Sequence, residues 1–355
     1  MHRPLDVLLA IDHLAFLSAK EKLNLAQAVA GTAALVALSR EAVGEIVGRS
    51  LAETWRPARA VQTAAAELRN LTRCGVGCIF YGDGRYPPQL REIYDPPFLL
   101  FYRGAPPNND APSVAVVGTR RPTSLGRTAA FRLGMELAGL GITVVSGLAR
   151  GIDVEAHEGC LAAGGRALAV LGNGLSDVYP PSSRDLAHRI LAAGGCLLSE
   201  LPSENRAERY NFPERNRIIS GLARSVVVVQ APAKSGALIT ADHGLEQGRD
   251  LFVHADGIGG VAGRGGEVLS EQGAPVIGCA QDILQDWAWK AGVARLCGPL
   301  EAVPPEGLRG NPGRRLARLL ELELTGGARL HNGTYYGSWS GRGSGAGGVD
   351  RTGNA

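Results

Sequence analysis

Tryptophan, tyrosine and phenylalanine together make up only 5% of the chain, and no apolar run approaches the roughly 20 residues needed to cross a bilayer. A membrane is therefore not an expected partner. The first residues also lack the basic-then-apolar pattern of a secretory signal, so the expected location is the cytoplasm. Surplus charge is equally scarce: 37 lysines and arginines against 34 aspartates and glutamates leave a net charge of +3. That excludes a histone-like polycation and leaves room only for a local basic patch. Cysteine is sparse, at six residues, and only Cys74 and Cys78 stand close together. A lone C-x3-C pair without nearby histidines is a weak zinc signal, so reduced, buried thiols and no metal are expected. Also missing are G-x-G-x-x-G and G-x-x-x-x-G-K-[ST], which argues against an NAD oxidoreductase and a P-loop ATPase.

What is abundant is glycine, 49 residues, beside a hydrophobic content of 45%. These imply many tight turns around an ample core, and 355 residues suggest about two or three domains. Residues 13 to 70 are rich in alanine and leucine and read as helices, with Ser39 a helix cap and Trp55-Arg56-Pro57 a break. A small helical domain over 1–72, of the SAM or helix-hairpin-helix kind, is the expectation. Residues 73–110 are rich in glycine, proline and aromatics and read as a connector with short strands.

From Ser113 the pattern changes to short apolar runs separated by helix-length segments. Val114–Val117, Ile142–Val145, Ala167–Leu171, Cys196–Leu198, Val226–Val229 and Leu251–Val253 recur at the spacing of βα units. Continuous apolar strands are buried on both faces, so the expected fold over 111–286 is an α/β, Rossmann-like, doubly wound and mostly parallel sheet. Residues 287–336 read as a linker with one amphipathic helix at 314–324, and the Gly, Ser and Arg-rich 337–355 as a disordered tail.

Four loops that follow apolar runs and one arginine-rich segment carry the candidate chemistry. The first apolar run leads into Gly118-Thr119-Arg120-Arg121-Pro122-Thr123-Ser124-Leu125-Gly126, where a helix start, hydroxyls and Arg120 could hold an anion. The same glycines also suit a βα turn that needs them for geometry alone. The second runs into Ser146-Gly147-Leu148-Ala149-Arg150-Gly151-Ile152-Asp153, with His157 four residues on; the pair could serve as acid and base, or cap and orient its own helix. Leu171-Gly172-Asn173-Gly174 and Tyr179-Pro180-Pro181 add a loop with Arg184 nearby. After the fifth run, Lys234-Ser235-Gly236 precedes a fresh helix and forms a second candidate phosphate cradle.

The arginine-rich segment spans residues 204 to 224. Arg206, Arg209, Arg215, Arg217 and Arg224 outnumber Glu204, Glu208 and Glu214, and Tyr210, Phe212 and Asn216 stand among them. Guanidinium forks grip phosphate, and a ring gives a base something to stack on. A solvated helix start capped by glutamates fits the same residues.

These segments resemble the DprA/Smf family, the DNA-processing protein A of bacteria. The match runs through Gly118-Thr119-Arg120, Ser146–Asp153, Leu171-Gly172, Ser199-Glu200, Phe212-Pro213-Glu214-Arg215-Asn216-Arg217-Ile218-Ile219-Ser220-Gly221-Leu222 and Lys234–Ala241, in family order across residues 80 to 284. The resemblance implies a protein that binds single-stranded DNA without catalysis or cofactor, dimerises, protects incoming strands in natural transformation and helps load RecA. It places DNA contacts at or beside Arg120, Arg209, Phe212 and Lys234. The turns around them add Gly118, Thr119, Arg121, Gly147, Arg184, Arg215, Asn216, Arg217, Ser235 and Gly236 as candidates.

Several positions depart from the family pattern. Thr123 replaces a serine, Gln230 stands where glutamate is usual, and Val253–Gly257 and Gly265–Leu269 differ near the expected self-association surface. Residues 319–336 resemble the last helix and wing of a winged helix, read here as degenerate. The rival reading is a nucleotide-binding or nucleotide-cleaving enzyme similar to phosphoribohydrolases, with Glu200 as its carboxylate. It lacks the Pro-Gly-Gly-x-Gly-Thr loop of that class.

Overall fold

The computed structural model describes residues 4–51 and 55–287, together with the backbone of 328–331 and 334–337. The chain opens with α1 (Leu5–Asp12), α2 (Ala19–Ala28), α3 (Thr32–Ala37), α4 (Arg40–Val47) and α5 (Pro57–Cys74). Local chemistry sets their ends. Ser18 and Glu21 form a reciprocal capping box at α2 and Ser39 caps α4. Pro57 begins α5, where its missing N–H costs nothing, and Gly75 closes that helix in the left-handed region.

The rest alternates strand and helix: β1 (Gly77–Phe80), α6 (Pro88–Arg91), β2 (Leu99–Gly104), β3 (Ser113–Val117), α7 (Ser124–Gly139), β4 (Thr143–Ser146), α8 (Ile152–Ala162), β5 (Ala167–Val170), α9 (Arg184–Ala192) and β6 (Cys196–Ser199). It continues through α10 (Asn211–Gly221), β7 (Ser225–Val228), α11 (Gly236–Glu246), β8 (Asp250–His254), α12 (Gly260–Glu271), β9 (Val276–Ile277) and α13 (Ala280–Asp286). One nine-stranded sheet runs β1-β2-β6-β5-β4-β3-β7-β8-β9. It is parallel from β6 to β9, and β2 and β1 add an antiparallel edge. Residues 73–110, read from sequence as a connector, thus contribute two strands to the main sheet. A separate backbone hairpin pairs β10 (Ala328–His331) with β11 (Thr334–Gly337). The helix expected at 314–324 and the tail beyond 337 lie outside the described residues.

The core follows from the apolar runs. Val114, Val116, Val144, Val145, Ala169, Val170, Val226, Val227 and Val228 are all fully buried. The parallel strands therefore carry helices on both faces, with α7 packed on α8 and α8 on α9, and α10 packed on α11. The described residues up to Trp287 form one compact unit. Within it the helical N-terminus is tied to the loop after β6: Glu67 of α5 accepts from the Ser203 N–H and hydroxyl, each at 2.7 Å, and Arg73 pairs with Glu204 at 2.6 Å.

The α7–α8 contact depends on glycine. A Cβ at Gly159 would run into the Phe131 carbonyl, and one at Gly134 into the Ala156 carbonyl, both backbone atoms that cannot swing aside. Gly159→Ala is expected to destabilise the protein by about 1–3 kcal/mol through overpacking. Urea unfolding checks this; an unchanged midpoint would mean that the two helices separate without cost.

Candidate nucleic-acid interface

From β3 the chain winds in one direction through β4, β5 and β6, then crosses back to β7 on the other side of β3. This reversal leaves a crevice beyond the carboxyl ends of β3 and β7, the usual ligand position in such sheets. A cleft of about 990 Å³ opens there, between the turns after β3, β4 and β7, the loop at Tyr179 and the start of α10.

Hydrogen bonds between loops set its walls. Thr119 N–H donates to the Gln230 carbonyl at 2.7 Å, and Ile152 N–H to the Thr119 carbonyl at 3.2 Å. Gly118 is required here, because a Cβ would strike Ile152 and the Gln230 carbonyl. Thr123 caps α7 by accepting from Gly126 N–H at 3.1 Å, and Ser235 caps α11 by accepting from Ala237 N–H at 3.3 Å. The departures at 123 and 230 prove to be neighbours: Gln230 Oε1 accepts from Thr123 N–H at 2.8 Å, and its Nε2 donates to Thr123 Oγ1 at 3.1 Å. An amide at 230 brings no negative charge to this wall.

Gly118, Thr119, Arg120, Arg121, Arg209, Phe212, Arg215, Asn216, Lys234, Ser235 and Gly236 all line the cleft. Arg120, Arg121, Arg209 and Lys234 are exposed, and among the described residues no carboxylate lies within ion-pairing distance of any of them. The Arg120 guanidinium sits over the Phe212 ring, 5.5 Å from its centroid. Tyr179 lies 5.7 Å from Phe212, centroid to centroid, tilted by 42°. Asn216 donates to the Gly236 carbonyl at 3.2 Å and ties α10 to the start of α11.

Four candidates do not serve as free contacts. Arg215 is a core residue, 5% exposed, donating to the carbonyls of Gly147, at 2.8 Å, and Val170. Gly147 is buried outside the cleft, and its missing Cβ makes room for that guanidinium. Arg217 pairs with Glu200 at 2.6 Å and Asp95 at 3.3 Å and does not line the cleft. Two residues apart on a helix, 215 and 217 cannot share a face. Arg184 is exposed, paired with Asp177 at 2.9 Å, and also lies outside the cleft. Arg224, from the same arginine-rich segment, stacks on Trp287 at 4.4 Å. Glu200, the carboxylate of the enzyme reading, is committed to Arg217 and does not line the cleft.

Tyr179 was legible as part of a loop but not counted as a contact. Pro232, Ile239, Val261 and Ala262 also line the cleft, and of these only Ile239 falls in a segment that the sequence singled out.

Beneath the cleft lies a buried charged group. Asp153 accepts from the N–H groups of Gly147 at 3.1 Å and Ala149 at 3.3 Å. Burial pushes its carboxyl up to about 6, partly offset by the nearby Arg215, and burial pulls Arg215 down to about 10, so both are ionised at neutral pH. His157, with neither ring nitrogen partnered, is held down to about 3 by burial and by the charge of Arg215. At His157 the unfolded chain therefore holds a proton that the fold lacks between about pH 6.5 and 3, and this histidine's contribution to stability is lost as pH falls through that window. His157→Gln is expected to flatten the acid limb of a stability–pH curve. Urea midpoints that fall with acid as steeply as in the parent would contradict it. Among the described residues no group of three or more His, Cys, Asp or Glu is placed to hold a metal, and no helix is long and apolar enough to cross a membrane.

Fold and cleft together define a doubly wound α/β protein whose switch-point crevice is cationic at its rim and aromatic on one wall. The chain belongs to the DNA recombination-mediator protein A family, whose model matches residues 77–288. It is 49% identical over 174 residues to Protein Smf of Synechocystis, a match covering 48% of this chain and 44% of that protein. The chain thus spans less than half the length of that relative. The structure of DNA processing protein A from Streptococcus pneumoniae superposes with a TM-score of 0.64 at 31% identity, over 80% of this chain and 99% of that one. That of the Helicobacter pylori DNA processing protein A, described for its single-stranded DNA binding mode, gives 0.53 at 28% identity over 60% and 95%.

Proposed function

We propose that the chain binds single-stranded DNA along this cleft without catalysing a reaction on it, and that it protects incoming strands and mediates RecA loading in DNA uptake and recombination. The observation that carries the reading is the convergence of four exposed, unpaired cations with Phe212 and Tyr179 on one crevice. Phosphodiesters meet Arg120, Arg121, Arg209 and Lys234, while an unpaired base stacks on an exposed ring. The described binding mode of the Helicobacter pylori relative supports the choice of strand. A cytoplasmic homodimer is part of the same proposal.

The test is the affinity for a labelled oligothymidine and for the matching duplex as salt is raised, with sizing chromatography alongside. Preference for the single strand is expected, with log affinity falling against log salt by about 0.7 for each phosphate neutralised. Failure to bind oligothymidine at low salt removes the proposal, and release of base from nucleoside monophosphates removes its non-catalytic part.

A further inference from the structure

We infer that Asp153 is a specificity determinant of the cleft: its carboxylate occupies the anion position in the floor, so that the cleft takes phosphodiesters along its rim and refuses the terminal phosphate of a free mononucleotide. The inference rests on the polynucleotide reading and sharpens it.

The turn between β4 and α8 has the make-up of an oxyanion cradle. Leu148 and Gly151 adopt φ of 56° and 85°, and the N–H groups of Gly147 and Ala149 converge on one point in front of the helix. Convergent N–H groups at a helix start hold phosphate in many doubly wound proteins. A buried guanidinium, Arg215, lies near Asp153, and its Nε is buried without a partner. Here the anion is part of the chain. Asp153, in the first turn of α8, turns back so that one oxygen accepts from both N–H groups, and it lines the cleft while only 6% exposed.

The starts of α7 and α11 differ. They are capped by the neutral hydroxyls of Thr123 and Ser235 and leave the nearby cations of the rim unneutralised. In the floor, the Asp153 carboxylate already occupies the N–H groups of Gly147 and Ala149, and a phosphate placed there would meet it at close range. Like-charge juxtaposition of this kind rejects a ligand more strongly than any missing contact would.

The experiment follows thermal unfolding of the full chain and of Asp153→Ala as inorganic phosphate is raised, against sodium chloride of equal ionic strength. Binding of thymidine 5′-monophosphate and of oligothymidine is measured on both. Phosphate is expected to stabilise the variant and not the parent, and the variant is expected to bind the mononucleotide roughly tenfold tighter or more. Asp153→Asn, of equal size without the charge, serves if the alanine variant does not fold. Identical responses of parent and variants to phosphate and mononucleotide overturn the inference while leaving the parent's oligothymidine binding intact. Absence of that binding in the parent overturns both it and the reading beneath it, and is told apart because it is read on a separate ligand.

Discussion

Arg215→Met should cost about 2–6 kcal/mol of stability, because it strips the charged donor from two buried carbonyls, each loss worth about 1–3 kcal/mol, and removes the positive charge near Asp153. The guanidinium holds the carbonyls of Gly147 and Val170, so one side chain joins α10 to the ends of β4 and β5, and its charge lies near enough to favour the ionised form of Asp153. Lysine is no substitute, since a single ammonium on a flexible stem does not reproduce the planar fork. The deficit should shrink on acidification. Asp153 titrates higher in the fold than in the unfolded chain, and higher still without Arg215, so protonating it as pH falls removes the buried charge from the variant. Replacing both members, Arg215→Met with Asp153→Leu, should cost less than the sum of the single changes, because no uncompensated charge is then buried. Urea unfolding of the four proteins at two pH values tests the account. Additivity within about 0.5 kcal/mol would mean that the two residues are not coupled.

The arginine-rich segment marks where sequence reasoning stops. Five arginines in some twenty residues signal polyanion chemistry, yet the fold sends them to different places. Arg209 reaches the cleft, Arg215 the core, Arg217 a carboxylate pair on another face of α10, and Arg224 the Trp287 ring. Composition counts charges, whereas function depends on which charges remain without a partner, and the partners of Arg217, Asp95 and Glu200, both lie outside the segment.

The glycine turns were legible for the opposite reason. Each follows directly on a buried apolar strand, and a parallel sheet delivers all such turns to one edge. Strand positions were accordingly recovered to within a residue or two. β1 and β2 were visible only as short strands because antiparallel edge pairing is decided by distant residues, Leu99–Leu100 against β1 and Tyr102–Arg103 against β6. Asp153 was read as one half of a capping or acid–base pair with His157. The structure shows neither: Asp153 accepts from Gly147 and Ala149 in the turn before α8, the helix start has no side-chain cap, and both ring nitrogens of His157 are unpartnered.

Joint replacement of Arg120 and Arg209 by alanine should weaken oligothymidine binding about a hundredfold or more, since each lost charge-assisted contact is worth about 1.5–3 kcal/mol. The two residues act on different walls, Arg120 on the turn after β3 and Arg209 just before α10, so their effects should add. The salt slope should fall by about 0.7 for each phosphate no longer neutralised. Phe212→Ala works through stacking: about 1–3 kcal/mol of affinity is expected to go with little change in slope. Arg120 couples the two effects, because its guanidinium lies over the Phe212 ring and its removal frees that ring as well. Arg217→Ala supplies the contrast. Its charge is already neutralised by Glu200 and Asp95, so the slope should stay as in the parent even if stability drops. A double arginine variant that kept the parent's affinity and slope, or an Arg217 variant that lost them, would place the strand on some other surface of the molecule.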